Sequence, residues 1–138
     1  MNRQIIFRGK SKCNGEWLYG DLEYNRQKDI ARIHTYNKDG IYERQYIVNT
    51  ETVGQFTGLY DKNGKEIYED DIVMWDVDNR LYLVAFLGGM FYASVVKDEG
   101  IGMIGGFPLH RLTNHVYELC EIAGNCYDNP ELLKGGEK

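Results

Sequence analysis

A chain of 138 residues has the length of one domain or of two small modules that share a core. Its 43% hydrophobic content and only two prolines exclude a disordered polypeptide, and no apolar run reaches the ~20 residues of a membrane span. The formal net charge of −5 disfavours general binding to nucleic-acid phosphates.

Antiparallel strands are predicted through the first half of the chain. The sequence NKDG at Asn37–Gly40 favours a hairpin turn between the alternating segment Ile30–Tyr36 and the segment Tyr42–Val48. Asn14-Gly15 is another turn signal. The strands predicted in this half are Ile5–Arg8, Glu16–Tyr24, Ile30–Tyr36 and Tyr42–Val48.

Short strands separated by turns are predicted in the second half. Asn63-Gly64 tolerates positive φ, so we expect Phe56–Tyr60 to fold back on Lys65–Tyr68. The glycine-rich Gly100–Pro108 is expected to be a mobile loop. Pro130–Leu133 is expected to form one helical turn with Asn129 as N-cap, followed by a disordered tail. The remaining predicted strands are Ile72–Val77, Arg80–Leu87, Met90–Val96 and Val116–Ala123.

The segment Thr52–Val73, TVGQFTGLYDKNGKEIYEDDIV, resembles the signature of the YopX family, small proteins of bacteriophages and prophages. The resemblance continues through IIFRGK at Ile5–Lys10 and EIAGNCYDNPELL at Glu121–Leu133. It implies a phage or prophage protein and brings no established biochemical activity with it. Family members usually carry glycine where Asp70 stands, and Asp suits that position if the backbone is left-handed there.

The predicted fold is mainly β with little helix. We expect an N-terminal antiparallel β module over residues 1–58, a C-terminal SH3-like barrel over 59–126, and a helical turn with a tail over 127–138. The barrel is inferred from the short strands and from Tyr68–Val73, where an acidic turn precedes a long strand. The three parts are expected to make one compact unit.

The motif at Thr52–Gly58 is interpreted first as a kinked strand that joins the two modules. Gly54 and Gly58 favour a bend or a close approach of two backbones. Gln55 and Thr57 are the alternative interpretation, as side chains that line a binding surface of the family motif.

Two sets of residues have the types of metal ligands without the spacing. His110, His115, Cys120 and Cys126 lack the intervals of zinc sites. A second set consists of carboxylates, which do not follow the alternate positions of an EF-hand loop. We expect no metal, although binding of a cation by the segment 66–78 stays open. These carboxylates are Glu66, Glu69, Asp70, Asp71, Asp76 and Asp78.

No catalytic or cofactor-binding residue is predicted. Ser11 and Ser94 are the only serines and neither lies in a nucleophile elbow, while Cys13 lies in a turn with no histidine near it in sequence. The glycines of Gly100–Gly106 match GxGxxG, but that motif binds a dinucleotide only between a parallel strand and a helix. We therefore expect no cofactor and no enzymatic activity.

The preferred function is a non-enzymatic module that binds a host or phage protein or forms a homo-oligomer. Its contacts are expected at strand edges or at Met103, Ile104 and Phe107. We expect no membrane partner, and the cytoplasm is the expected compartment, because the N-terminus MNRQIIFRGK has no signal core and the three cysteines show no disulfide pattern.

Two other functions remain open. One is nucleic-acid association, in which Trp17 or Tyr19 would stack on bases beside a basic surface. The other is a metal-dependent phage enzyme built on the acidic segment, for which no matched acid, base and nucleophile is visible. The residues of the basic surface would be Arg3, Arg8, Lys10, Lys12, Arg26, Lys28 and Arg32.

Overall fold

The computed structural model describes residues 4–97, 100–113 and 119–134, without the side chains of residues 97 and 100–105. Its secondary structure is almost entirely β, which confirms the predicted class, and no helix in these ranges has the length and apolarity to span a membrane. Short 3₁₀ turns lie at Thr50–Thr52, Leu109–Leu112 and Pro130–Leu133. The strands are β1 (Phe7–Lys10), β2 (Trp17–Tyr24), β3 (Ala31–Tyr36), β4 (Tyr42–Val48), β5 (Gly54–Tyr60), β6 (Glu66–Tyr68), β7 (Asp71–Trp75), β8 (Leu81–Leu87), β9 (Met90–Lys97), β10 (Gly100–Pro108) and β11 (Cys120–Asn125).

The chain divides into two compact units, Met1–Phe56 and Thr57–Lys138. In the first unit the strand order is β4-β3-β2-β1-β5, with antiparallel neighbours. Ala31, Ile33 and Val48 are fully buried on one face of this sheet. Because side chains alternate along a strand, the residues between them face the opposite side.

Strand β4 also bonds back to the end of β1. Ser11 pairs with Val48, and the Lys12 N–H donates to the Ile47 carbonyl at 3.0 Å. The sheet therefore curls until its first and fourth strands meet at one end. Gly9 lies at this close approach, where an added Cβ would come 2.9 Å from the Val48 side chain.

The second unit has the strand order β10-β9-β8-β7-β11, again with antiparallel neighbours. Its core contains Trp75, Tyr82 and Val84 together with the fully buried Leu109 and Leu112. In the described ranges, β10 and β11 end this order and do not pair with each other. Closure into an SH3-like barrel is therefore not confirmed.

The turn at Asp61–Gly64 forms as predicted. The Asp61 N–H donates to the Lys65 carbonyl at 2.9 Å, and Gly64 has φ +82°. The second half of β5 and strand β6 flank this turn. The other predicted hairpin turn also forms, with the Gly40 N–H donating to the Asn37 carbonyl at 2.9 Å.

The expectation of a loop at Gly100–Pro108 is wrong, because this segment is strand β10. It pairs with β9 on both sides of a register shift between Ile101 and Gly106. Pairing with a long neighbour supplies backbone hydrogen bonds that outweigh the low strand propensity of glycine. The predicted strand at Val116–Ala123 appears as β11 from Cys120 onward, and residues 116–118 lie outside the described ranges.

The helical turn predicted at Pro130–Leu133 is present, with Pro130 at its start. Asn129 does not cap it as expected. Its Oδ1 accepts instead from the Asn125 N–H at 3.1 Å, so the side chain stabilises the preceding turn. The tail after Lys134 lies outside the residues that the structure describes.

Candidate functional site

One group of polar and aromatic side chains covers the outer face of β2, β3 and β4. The register places Asp21 opposite His34 and Tyr36 opposite Tyr42. Glu23 lies two residues from Asp21 and so points to the same side as His34. This side faces away from the buried Ala31, Ile33 and Val48. We call Asp21, Glu23, His34, Tyr36 and Tyr42 the tyrosine face.

Hydrogen bonds and ring contacts hold the tyrosine face in one arrangement. His34 Nε2 lies 2.7 Å from Glu23 Oε1, and its Nδ1 lies 3.3 Å from the Tyr42 hydroxyl. The Tyr36 hydroxyl donates to Asp21 Oδ2 at 2.9 Å. The Tyr36 and Tyr42 rings meet edge to face, with centroids 5.6 Å apart. Each aromatic side chain is thus fixed by at least one neighbour.

The electrostatics of the tyrosine face favour the neutral form of the Tyr36 phenol. The hydrogen bond to Asp21 is the main cause that raises the pKa of Tyr36, and partial burial and the Asp21 charge act in the same direction. Tyr36 and Tyr42 are nevertheless 43% and 48% exposed. A rigid aromatic surface with polar tips in water is typical of sites that contact other proteins.

Glu23, His34 and Tyr42 also stand in the order carboxylate, imidazole, hydroxyl. Because a carboxylate only accepts, His34 donates from Nε2 and can accept the Tyr42 proton at Nδ1. That order resembles a relay that activates a nucleophile. Tyr42 is almost half exposed, however, so the side chain that would supply the nucleophile lies on an open surface. The geometry favours orientation of the ring over catalysis.

Sequence reasoning missed His34 as a functional residue. Among the three histidines, the sequence indicates only His110 and His115 as candidate metal ligands. His110 lies exposed in a 3₁₀ turn, and His115 lies outside the described residues. The alternation of β3 already placed His34 on the side opposite Ile33. Its partners could not be found, because they depend on the register with β2 and β4.

The basic residues considered for nucleic acid are only partly brought together. The Arg8 guanidinium lies 4.4 Å from the Trp17 ring centroid and Lys10 Nζ lies 5.5 Å from it, while Arg8 is only 5% exposed. The ring that was expected to stack on bases is thus already in contact with two cations. Tyr19 is exposed and lies opposite Arg8.

The remaining basic candidates are dispersed along the first unit. Lys12 lies just beyond β1, and Arg26 and Lys28 lie in the connection between β2 and β3. Arg32 lies opposite Glu23, a carboxylate of the tyrosine face, in the register of β2 and β3. Arg3 lies outside the described residues.

The clustered carboxylates of the second unit have separate hydrogen-bond donors. Asp71 Oδ2 accepts from the Tyr68 N–H at 2.8 Å, and Asp70 Oδ2 accepts from the Tyr127 hydroxyl at 2.7 Å. Asp76 accepts from Lys62 Nζ at 3.2 Å. Glu66 and Asp78 accept from tyrosine hydroxyls. In the described ranges, no three His, Cys, Asp or Glu residues converge as metal ligands.

The backbone at Asp70 is left-handed, with φ 73°, as expected for a position where the family usually has glycine. The Asp70 N–H donates to the Val84 carbonyl at 2.8 Å, and its own carbonyl accepts from the Cys126 N–H at 3.0 Å. Aspartate therefore adopts the positive φ of this position, and its side chain adds a hydrogen bond with Tyr127 that glycine cannot make.

The cysteines differ in their access to water. Cys120 is completely buried, and burial followed by the nearby Asp61 raises the pKa of its thiol to about 12. Cys13 is exposed and Cys126 is half-buried. A protonated, buried thiol is a poor nucleophile and a poor metal ligand, so Cys120 serves the core.

The residues proposed for interface and motif surfaces have these positions. Phe107 packs against Trp75 with ring centroids 5.4 Å apart, and Arg111 lies 4.9 Å from its ring centroid. The side chains of Met103 and Ile104 lie outside the described part of the chain. Thr57 Oγ1 donates to the Ile67 carbonyl at 2.8 Å, and Gln55 pairs with Phe7 across β1 and β5.

Comparisons with known proteins show the family and, separately, a similar fold. A family model described as "YopX protein" matches residues 6–134. The crystal structure of protein EF1440 from Enterococcus faecalis is similar to this chain with a TM-score of 0.58 and 23% sequence identity. The match covers 96% of this chain and 99% of that one, and at this identity it shows the fold alone. No curated protein matches the sequence significantly.

Proposed function

The chain belongs to the YopX family, and we propose that it is a non-enzymatic protein-binding module, which either associates with itself or binds a host or phage protein. We further propose that it is encoded by a bacteriophage or prophage and acts in the cytoplasm of the host bacterium. One observation carries the proposal. The tyrosine face places two nearly half-exposed phenol rings in a fixed arrangement on an open sheet surface.

The energetics of this surface suit recognition of another protein. Side chains that are already ordered lose little conformational entropy on binding, and tyrosine brings a large apolar area with few rotatable bonds. His34 and Asp21 orient the rings before any partner arrives. The hydroxyl groups and the Glu23 carboxylate leave polar groups at the rim of the surface, as in many protein interfaces.

The two alternatives receive less support from the contacts. A nucleic-acid surface would have to include Asp21 and Glu23, whose charges repel phosphates, and its Trp17 ring already contacts Arg8 and Lys10. In a metal-dependent enzyme, carboxylates such as Asp71 would have to give up the hydrogen bonds that they accept in this structure. A protein partner requires neither change.

The test compares one double variant and one single control variant with the natural chain. We expect Tyr36→Ser/Tyr42→Ser to abolish self-association in light scattering or capture of the partner in affinity purification, with an unchanged circular dichroism spectrum. Tyr60→Ser is the matched control, because Tyr60 is an equally exposed tyrosine (48%) outside the tyrosine face. A natural chain that stays monomeric and captures no protein would refute the proposal. Equal binding by the double variant and the control would refute the role of the tyrosine face.

A further inference from the structure

The open edge of β4 lies beside a groove in the first unit. Pairing between β4 and the end of β1 stops at Lys12, because the chain turns back into β2. In that turn the Gly15 N–H donates to the Ser11 carbonyl at 2.8 Å, and the Ser11 N–H donates to the Glu16 carbonyl at 2.9 Å. The segments 11–16 and 44–47 thus border a cavity of about 650 Å³, which is within the range of ligand sites.

The direction of the β4 backbone fixes which groups face this groove. The Ile47 carbonyl accepts from the Lys12 N–H, so Ile47 turns its backbone groups toward β1. The Arg44 carbonyl accepts from the Thr35 hydroxyl, on the side of β3. Residues two apart in a strand point their backbone groups the same way, so the N–H and carbonyl of Gln45 face the groove. Within the described ranges, the pairing of β4 on this side ends before Gln45.

The charge of the groove is opposite to that of the whole chain. Lys12 and Arg44 border it with Glu16, giving two positive charges and one negative, whereas the chain has a net charge of −5. All three side chains are exposed. The Arg44 guanidinium lies 4.9 Å from the Tyr46 ring centroid, a contact that holds it beside the groove.

Apolar side chains contribute the rest of the lining. Leu18 and Tyr46 are half-buried and Ile47 is exposed, and all three belong to the strands beside the cavity. An open strand edge next to apolar and basic side chains has the components of β-strand addition. In that mode the backbone bonds give affinity and the flanking side chains select the sequence. Exposed edges of this kind bind further strands unless they are protected.

We propose that β4 binds an extended acidic segment of a partner protein as an added strand in this groove. The backbone of the segment bonds to the N–H and carbonyl of Gln45. A carboxylate of the segment lies between Lys12 and Arg44, and an apolar side chain contacts Leu18. The residues that line this groove include none of the tyrosine face, and Gln45 lies opposite His34 in the register of β3 and β4. The proposal rests on the proposed function of protein binding.

The first experiment is selection of peptides from a displayed random library of about ten residues, the length of a strand with short flanks. The complete chain is the target, and selected peptides are synthesised for affinity measurements by fluorescence polarisation. We expect peptides that combine Asp or Glu with β-branched residues. Their affinity should fall as salt rises, because exposed charges contribute to binding.

Variants then locate the binding site. Gln45→Pro removes the N–H that faces the groove without removing a donor to β3, and it should weaken binding about tenfold or more. Lys12→Glu/Arg44→Glu should also weaken binding about tenfold or more. Lys38→Glu is the control, because Lys38 is an exposed lysine of the β3–β4 turn and is not one of the residues that line the groove. Its affinity should match that of the natural chain.

A second measurement does not depend on the fold of the proline variant. In a Cys126→Ser background, a bulky maleimide attached to the exposed Cys13 at the groove should block peptide binding. The inference is overturned by an empty selection, by basic peptides, or by peptides that bind all variants and the labelled chain equally well. If peptides bind all variants and the labelled chain equally well, the groove is not the site, but the proposed function of protein binding is unaffected. If the chain captures neither peptides nor proteins, the proposed function is refuted as well.

Discussion

Replacing Asp61 by alanine is expected to destabilise the second unit by about 3 kcal/mol. Asp61 is only 7% exposed, and its carboxylate accepts three backbone N–H groups. Oδ1 accepts from Asn63 at 2.8 Å and from Lys65 at 2.9 Å, within the turn. Oδ2 accepts from Ile122 at 3.1 Å, in strand β11. One side chain therefore joins a hairpin turn to a strand 61 residues away in sequence.

The magnitude follows from the surroundings of each donor. A hydrogen bond to a charged group contributes about 1.5–3 kcal/mol, so three would suggest a much larger loss. Asn63 and Lys65 lie in an exposed turn, however, where water replaces the lost acceptor. Most of the lost stability therefore comes from the Ile122 N–H, which is left without its acceptor. The two N–H groups of the turn contribute a smaller part. Asparagine at position 61 keeps one acceptor oxygen and should lose about 2 kcal/mol.

The assay is urea unfolding followed by tryptophan fluorescence in a Trp17→Phe background. Trp75 is 5% exposed in the core of the second unit and then reports that unit by itself. Asp76→Ala is the matched control, because Asp76 forms an exposed ion pair with Lys62 at 3.2 Å. Water and salt screen such exposed pairs, so their loss changes stability little. If Asp61→Ala loses no more than this control, the argument from the three N–H groups is wrong.

Other variants test the backbone and the titrating groups. Asp70→Gly should be more stable than Asp70→Ala, because glycine relieves the φ of 73° while both lose the bond to Tyr127; urea midpoints decide the order. Gly20→Ala should unfold the first unit, seen as a lost Trp17 signal, since the new Cβ would collide with the His34 carbonyl. Burial raises the pKa of Cys120 from 9.0 to about 12, so the unfolded chain releases this proton first and stability should fall from pH 9 toward 12. Urea midpoints across that range should fall less steeply in Cys120→Ala.

Local structure could be predicted from the sequence because short-range chemistry determines it. Asn63-Gly64 predicted a turn without any knowledge of distant contacts, and the positive φ at Asp70 agrees with the glycine that the family usually carries at that position. The same holds for Pro130, whose ring fits the start of a helical turn. The prediction that Asn129 caps this turn was wrong, because its side-chain oxygen accepts from the nearby Asn125 N–H instead. The type of element was predictable there and the hydrogen bond was not.

Features that depend on pairing between distant strands could not be predicted. The return of β4 to β1 depends on Ser11 meeting Val48, which are 37 residues apart, and no local pattern specifies that meeting. Strand β10 was missed because its glycines weaken the local signal, while pairing with β9 stabilises it. The tyrosine face arises in the same way, from a register that brings His34 between two other strands.

The two units use their polar side chains differently, and this contrast supports placing recognition in the first. In the second unit, Asp61, Asp70 and Asp71 accept donors of their own unit, so their charges contribute to its structure. In the first unit, the hydroxyl groups of Tyr36 and Tyr42 form hydrogen bonds with neighbouring side chains, and both residues still expose nearly half of their surface to water. A carboxylate that already holds a strand in place cannot bind a partner without a loss of stability. An ordered, exposed ring can, because its contacts remain intact when a partner covers it.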